Sequence, residues 1–331
     1  MKGPGVETRR SAWVISAVAS AALLGLVLFF ADVDTAFMLV RQIPWPLLVA
    51  GVAVLLLEGV CSALRIKLMT RGPASMRDAF IVTAWWVFGL AILPARLGEL
   101  AGMHMLKRRL GHSFGEALNN LSVQRLFDVA ILFAVGAMVV AAQTRFIDRS
   151  VVVVLSGGLA CVVLFALVNL AAAFAAIAGV LLPLRHRRGL RPVLRTLLQA
   201  RRAARTLLTR KRLAALAGVS VAKWVFNLGG LGLVILAFVP ALAALQGVSV
   251  AVIYNLSAVI PLQTVGGIGI GEVSLAGGLA WYGYDAATAA SAAILLRGVL
   301  IGAPVLFWLI VVAAALLAGS GRRSAGASTV K

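Results

Sequence analysis

Charged residues are scarce in this sequence, and their scarcity excludes a soluble globular protein. Only 13% of the 331 residues are charged, whereas 62% are hydrophobic. A soluble domain is typically about half apolar and about a quarter charged. The longest polar interval, residues 185–212, leaves no room for a separate soluble domain. Several apolar runs exceed the roughly 18 residues that suggest a bilayer span, so we predict an all-α polytopic membrane protein.

Cysteine and histidine are also rare, which argues against metal sites and disulfide frameworks. The chain has two cysteines, Cys61 and Cys161, in or near apolar runs, and three scattered histidines. Neither cysteine has the spacing of a metal site or of a disulfide framework. The glycines of residues 266–271 follow an apolar membrane arm rather than a soluble strand, so they do not indicate a dinucleotide-binding loop. We predict no cofactor, no metal ion and no catalytic residue.

Acidic residues are outnumbered by basic ones, and the position of the basic residues decides what this means. The chain has 31 Lys and Arg against 11 Asp and Glu, a net charge of +20. The basic residues lie in short loops between apolar runs, which is the positive-inside pattern of membrane proteins and argues against a nucleic-acid partner. Such loops also attract anionic lipid headgroups. We expect a multi-pass protein of a bacterial-type inner membrane with both termini in the cytoplasm.

The apolar runs are predicted to form a single transmembrane domain over residues 1–331, with about six full spans and two re-entrant helical hairpins. The first hairpin, 79–109, has two short apolar arms around a Pro/Gly break that carries charge. The second, 246–284, repeats this arrangement around the stretch PLQTVGGIGIGE. The interval 185–212 contains eleven Lys or Arg and no acid, and its leucine spacing predicts a surface helix in a cytoplasmic linker. The predicted full spans are 12–30, 45–64, 114–142, 150–182, 213–238 and 286–318, and a polar tail follows at 319–331.

The two hairpins align with each other, which predicts an internal repeat. Pro94 leads to Gly98 and Glu99, and Pro261 leads to Gly271 and Glu272. Because the first hairpin would enter from inside and the second from outside, the halves, 1–142 and 143–184 with 213–318, would have inverted topology. Inverted repeats in transporters place the substrate site near the membrane midplane, where broken helices meet. Beyond each break, Gly111, Ala117 and Arg125 correspond to Gly283, Ala289 and Arg297 at identical spacing.

Two stretches carry a family resemblance: PARLGELAGMHMLKRRLGHSFGEALNNLSVQRLFDVAIL (94–132) and IPLQTVGGIGIGEVSLAGGLAWYGYDAATAASAAILLRGVL (260–300). With these, the chain resembles the lysylphosphatidylglycerol synthase transmembrane-region family, also called the flippase-like domain family. The family pattern is P-x-R-x-G-E, a basic stretch, E/Q-R-x-x-D, and P-x-x-P-G-G-x-G-x-x-E followed by Arg. This sequence has Gln124 where Glu is commoner and residues 263–265 where a proline is usual.

The resemblance implies a role in moving lipid. In that family the transmembrane region moves lipid between leaflets when it is fused to a soluble aminoacyl transferase that makes the modified lipid. The present sequence has no such domain before Lys331, so we expect the translocase part alone and no transferase activity. Stand-alone relatives are linked to hopanoid, isoprenoid-linked or phospholipid molecules.

Charged residues within the apolar segments are the candidate site, because intramembrane charges are costly and usually face a cavity or one another. Arg125 and Asp128 lie three apart on one helical face, so they form either a structural pair or a site in which Arg125 holds a lipid phosphate. Arg297 lies deep in the last span and needs a partner, either Glu272 or Glu99. The candidate lipid-headgroup and transport residues are Arg96, Glu99, Arg125, Asp128, Gly266, Gly267, Gly269, Glu272 and Arg297.

Three further charged residues, Glu58, Arg65 and Lys223, are interpreted as structural rather than functional. Glu58 and Arg65 lie seven apart on one helical face, and Lys223 beside Trp224 resembles an interface anchor. Glu99 and Glu272 are also candidate proton sites.

The preferred function is a flippase-like translocase for an anionic or polyprenyl/hopanoid-type lipid. In this mechanism the glycine-rich break would add backbone N–H donors to the lipid phosphate. One alternative is a membrane partner that anchors a lipid-modifying enzyme through the basic 185–212 surface. The other is an embedded transferase or phosphatase acting on a lipid phosphate.

Overall fold

Every regular element of the computed structural model is a helix within the residues that it describes: 18, 20–72, 74–93, 97–143, 149–184, 190–257 and 268–327. This confirms the predicted all-α membrane fold. The helices are α1 (Ser20–Phe30), α2 (Val33–Arg41), α3 (Trp45–Leu68), α4 (Met76–Ile92), α5 (Leu97–Leu110), α6 (Phe114–Gln143), α7 (Arg149–Val168), α8 (Leu170–Leu181), α9 (Arg191–Leu207), α10 (Arg210–Phe238), α11 (Ala244–Ser257), α12 (Ile270–Trp281) and α13 (Ala286–Ala327).

Short polar residues start several of these helices. The Ser75 hydroxyl accepts a hydrogen bond from the Asp78 N–H at the start of α4, and Thr209 does the same for Arg212 at the start of α10. Asp32 accepts from the Thr35 N–H at 2.8 Å and begins α2. Each bond satisfies a backbone donor that a helix terminus leaves without an intrahelical partner.

Four helices of the described chain, α3, α6, α10 and the stretch Ala286–Ala318 of α13, are long and apolar enough to cross a membrane. Two bent helix pairs, α1–α2 and the end of α7 with α8, raise the number of candidate spans to six if each pair counts as one. The six predicted spans therefore agree with these candidates in approximate position, and in number if each bent pair is one span. The first predicted span, 12–30, lies partly outside the described residues.

The predicted span over residues 150–182 is not one straight helix, because the chain bends by 66° between α7 and α8. Asn169 lies at the bend, and its side-chain amide donates to the Phe165 carbonyl at 2.9 Å. Polar side chains that bond to the preceding helical turn compete with the regular backbone pattern and often accompany bends.

Helices α3 and α10 form a central pair that packs through glycines. A Cβ atom on Gly230 would lie 2.9 Å from the Leu55 nitrogen and 3.0 Å from the Gly51 oxygen, closer than side chains permit. The two backbones therefore touch directly, as at other membrane helix interfaces lined by small residues. This contact places the polar side chains of α3 and α10 side by side.

Two antiparallel helix pairs, α4–α5 and α11–α12, lie where the sequence predicts the re-entrant hairpins; their re-entry into the membrane stays a prediction. Gly98 of α5 lies on the backbone of Gly89 and Leu90, and Gly278 of α12 packs on Val250 of α11. A glycine with positive φ then leads each hairpin into a long helix, Gly111 (68°) before α6 and Gly283 (89°) before α13. The hairpin breaks themselves, 94–96 and 258–267, lie outside the described residues.

The predicted helix in the basic interval 185–212 is present as α9. Its buried side, with Leu197, Ala200 and Ala204, joins a core cluster with residues of α6 and α8. Arg195 and Arg202 are exposed on the other side. Two residues, 208 and 209, separate α9 from α10, so α9 lies at one end of that candidate span.

Candidate functional site

Glu272 and Arg297 form the ion pair that the sequence predicts, in the deeply buried contact between α12 and α13. The Arg297 Nε lies 3.3 Å from the Glu272 Oε1, and the Glu272 side chain is only 3% exposed. Arg297 Nη1 also donates to the Tyr254 hydroxyl at 3.2 Å. Gly271 permits this arrangement, because a Cβ atom there would lie 3.1 Å from the guanidinium Nη1.

Gly269 begins α12 with a left-handed backbone, φ 91°, that favours glycine. Its N–H donates to the second carboxylate oxygen of Glu272 at 2.7 Å. In the present conformation Glu272 therefore occupies this N–H. The expectation that the glycine-rich break offers N–H donors to a lipid phosphate stays a prediction. Gly269 acts here by orienting the carboxylate that holds Arg297.

Glu99 and Arg125 form a second Glu–Arg pair, between α5 and α6. The Arg125 Nη2 lies 2.5 Å from the Glu99 Oε1. This pair is more open than the first, since the Arg125 side chain is 48% exposed and that of Glu99 is 14% exposed. In the sequence alignment of the two hairpins, Glu99 corresponds to Glu272 and Arg125 to Arg297, so equivalent residues are paired in both halves.

Arg125 and Asp128 are not paired with each other among the ion pairs of the described chain, so the structural-pair alternative is wrong. Spacing of three residues places both on one face of α6, but each side chain reaches a different neighbouring helix. The Asp128 Oδ1 accepts from Arg65 Nη1 at 2.8 Å and from Trp224 Nε1 at 3.0 Å. Arg65 also donates to the Gln124 carbonyl and is 1% exposed. Glu58, which shares a helical face with Arg65, pairs instead with Lys223.

Lys223 of α10 bridges two carboxylates and is not an interface anchor. Its Nζ lies 3.5 Å from Glu58 Oε1, 3.6 Å from Asp128 Oδ1 and 4.2 Å from the Trp224 ring centroid. The side chain is only 12% exposed. A buried lysine needs such compensation, because an unpaired ammonium in apolar surroundings is strongly disfavoured.

Two asparagine side chains connect Glu58 to the second hairpin. Asn227 donates to Glu58 Oε2 at 2.9 Å, and Asn255 of α11 donates to the Asn227 oxygen at 3.0 Å. Tyr254, the residue before Asn255 on α11, accepts a hydrogen bond from Arg297. Polar side chains thus follow one another across the helical core from α3 and α6 to α13.

We call the charged residues of these ion pairs, together with Asn227, Tyr254 and Asn255, the polar network. Its charges balance, with four carboxylates and four cations. Three of its charged members, Glu58, Arg65 and Lys223, were not predicted as site residues. Nor were the partners Asn227, Tyr254 and Asn255. Asn227 follows Lys223 by four residues on α10, a spacing that indicates a shared polar face. The charged members are Glu58, Glu99, Asp128, Glu272, Arg65, Arg125, Lys223 and Arg297. Of the other predicted site residues, Arg96, Gly266 and Gly267 lie outside the described residues.

Comparison with known proteins identifies the family. The family model described as the lysylphosphatidylglycerol synthase TM region matches residues 13–308, a range that contains the whole polar network. No curated protein and no solved structure matches the chain. The family description names a membrane part of a lipid-related protein, which agrees with the candidate membrane spans of the described chain. The chain belongs to the lysylphosphatidylglycerol synthase TM region family.

Proposed function

We propose that the chain is a lipid translocase that moves an anionic or isoprenoid-linked lipid between the leaflets of a bacterial-type inner membrane. The observation that carries the proposal is the polar network, with equivalent Glu–Arg pairs where each hairpin meets its long helix. Charged side chains inside membrane helices are expensive and typically mark a transport path. Membership of a lipid-related membrane family supports the same conclusion.

The two pairs suggest an order of events for the headgroup. Arg125 is the more exposed arginine and would meet the headgroup first, while Arg297 is 12% exposed and would receive it later. Arginine suits this task because its planar guanidinium binds phosphate oxygens in pairs. The lipid tails would stay in the bilayer while one half of the protein swings against the other.

The proposed orientation has both termini in the cytoplasm. It rests on the basic loops and on the exposed arginines of α9, which would lie on the cytoplasmic side under the positive-inside rule. In this orientation α9 would face the anionic headgroups of the inner leaflet.

Reconstitution in liposomes tests the proposal. Purified protein is placed in vesicles that contain fluorescently labelled phosphatidylglycerol or a labelled isoprenoid phosphate, and the loss of label from the outer leaflet is followed after addition of an impermeant quencher. We expect translocation by the wild type, and a rate reduced about tenfold or more in Arg297→Ala because a charge-assisted contact is lost.

Arg195→Ala is the matched control, because it removes an exposed arginine of α9 outside the polar network. A rate equal to that of the wild type in Arg297→Ala would reject the site. Absence of translocation for both lipids would instead favour the partner of a lipid-modifying enzyme.

A further inference from the structure

The cations of the polar network already have carboxylate partners. Arg125 pairs with Glu99, Arg297 with Glu272, Arg65 with Asp128, and Lys223 with both Glu58 and Asp128. The network is electrically neutral as it stands. An incoming anion therefore finds no surplus positive charge in this part of the chain.

Glu99–Arg125 is the pair at which an anion can enter. The Arg125 side chain is 48% exposed, whereas the other three network cations are between 1% and 12% exposed. A phosphate that binds the Nη1–Nη2 edge of the Arg125 guanidinium competes with Glu99 for the Nη2 donor. The displaced carboxylate stays largely enclosed, since Glu99 is 14% exposed, and an enclosed carboxylate without a counter-charge is strongly disfavoured.

Among the described residues, no other cation is positioned to neutralise the Glu99 carboxylate once it has lost Arg125. Helices α4 and α6 pack against α5. On α4, Arg77 donates to the Ala315 carbonyl and Asp78 is bonded to Ser75, at the end of α4 remote from the Gly89–Gly98 contact. The other charged residues of α5 and α6 are His104, Lys107, Arg108, Arg109, Glu116 and Asp128.

Each of these residues either has a partner of its own or lies away from Glu99 along α5. Asp128 holds Arg65 and Lys223, and Glu116 holds Arg71 and the Ser113 N–H. His104 and the basic triplet 107–109 lie more than one helical turn along α5 from Glu99. Among the described residues, a proton is thus the simplest source of compensation for Glu99; Arg96, three residues before it, lies outside them.

We propose that an anionic lipid headgroup binds Arg125 together with one proton, which Glu99 takes up as the headgroup displaces it. The proposal rests on the translocase function and specifies how its entry site is regulated. The step balances: one phosphodiester anion and one proton enter, the guanidinium keeps its charge, and the Glu99 carboxylate becomes a carboxylic acid. Lipid entry is then favoured on the more acidic side of the membrane.

Calorimetry on the full chain in phosphatidylcholine nanodiscs tests the proposal, with short-chain phosphatidylglycerol as the probe. Titrations in two buffers of different ionisation enthalpy count the protons taken up, without any substitution. We expect one proton per bound lipid, and a Kd that rises about tenfold for each unit of pH over the range in which this uptake occurs. Inorganic phosphate is expected to bind far more weakly than the lipid.

Glu99→Gln removes the titrating group but keeps the side chain's shape. We expect this variant to bind phosphatidylglycerol with no proton uptake and no dependence on pH, while Glu116→Gln, at a carboxylate outside the network, behaves as the wild type. Proton uptake that persists in Glu99→Gln, or wild-type binding without proton uptake, would overturn the coupling. Equal affinity for inorganic phosphate would overturn the lipid assignment.

The coupling and the entry site fail in different ways, and the translocase function is tested separately by the liposome assay. Binding of phosphatidylglycerol that Arg125→Ala abolishes, but that takes up no proton, leaves the site in place and rejects the coupling alone. Binding that Arg125→Ala leaves unchanged rejects the entry site itself.

Discussion

At the residue scale, the sequence identified most of the buried charges but misassigned several partners. Spacing along a helix shows only that two side chains share a face, as for Arg125 and Asp128. The partner depends on which neighbouring helix lies opposite, and here α5 supplies Glu99 whereas α3 supplies Arg65. The Glu272–Arg297 pair was predictable because a deep arginine needs a carboxylate and its own half of the chain offered one.

His112, between α5 and α6, should make the stability of the protein depend on pH. Its Nε2 lies 3.2 Å from the Thr70 hydroxyl, which itself donates to the Ile66 carbonyl, so His112 is the donor in this bond. Burial lowers the pKa of His112 below its ordinary value of 6.5, although Glu116 raises it. The unfolded chain therefore binds the proton more readily, and stability is lost as the pH falls below about 6.5.

Thermal unfolding at about pH 7.5 and about pH 5.5 measures this effect, on either side of the ordinary histidine pKa. We expect His112→Gln to show a smaller fall in Tm between the two conditions than the wild type does. His104→Gln, at an exposed position on α5, is the control and should keep the wild-type difference. An unchanged difference in His112→Gln would show that this histidine does not contribute.

At the scale of elements, hydropathy predicted the spans and hairpins because both depend on composition along the chain. It missed helix α2 and the bend at Asn169, which depend on single polar residues and on contacts with other helices. The Asp32 backbone, just before α2, bonds to the Ser291 hydroxyl of α13, a contact that is 259 residues away in the sequence. Such long-range contacts leave no periodic signal.

The glycine contact between α3 and α10 should not tolerate a side chain. We expect Gly230→Ala to lower the unfolding free energy by about 1–3 kcal/mol, because its Cβ would press on the backbone of α3. Gly229→Ala is a matched control, since nothing lies within 4 Å of a Cβ there and alanine favours helix. Denaturation in detergent compares the two, and equal stability would contradict the close contact.

At the scale of the whole molecule, the two hairpin units share more than their order along the chain. Gly111 and Gly283 both have positive φ, and each unit pairs a glutamate of the hairpin with an arginine of the following helix. The Glu99–Arg125 pair is more exposed than the Glu272–Arg297 pair, as expected if one end of a transport path is open and the other closed. The inverted orientation of the halves stays a prediction.

The central claim is that one lipid passes both arginines in sequence. Translocation rates of Arg125→Ala, Arg297→Ala and the double variant in proteoliposomes test it most directly. If the two residues serve successive steps of one path, the durations of the steps add, and the double variant should be within about twofold of the slower single variant. Single effects of about tenfold that multiply to about a hundredfold, or variants as fast as the wild type, would contradict the account.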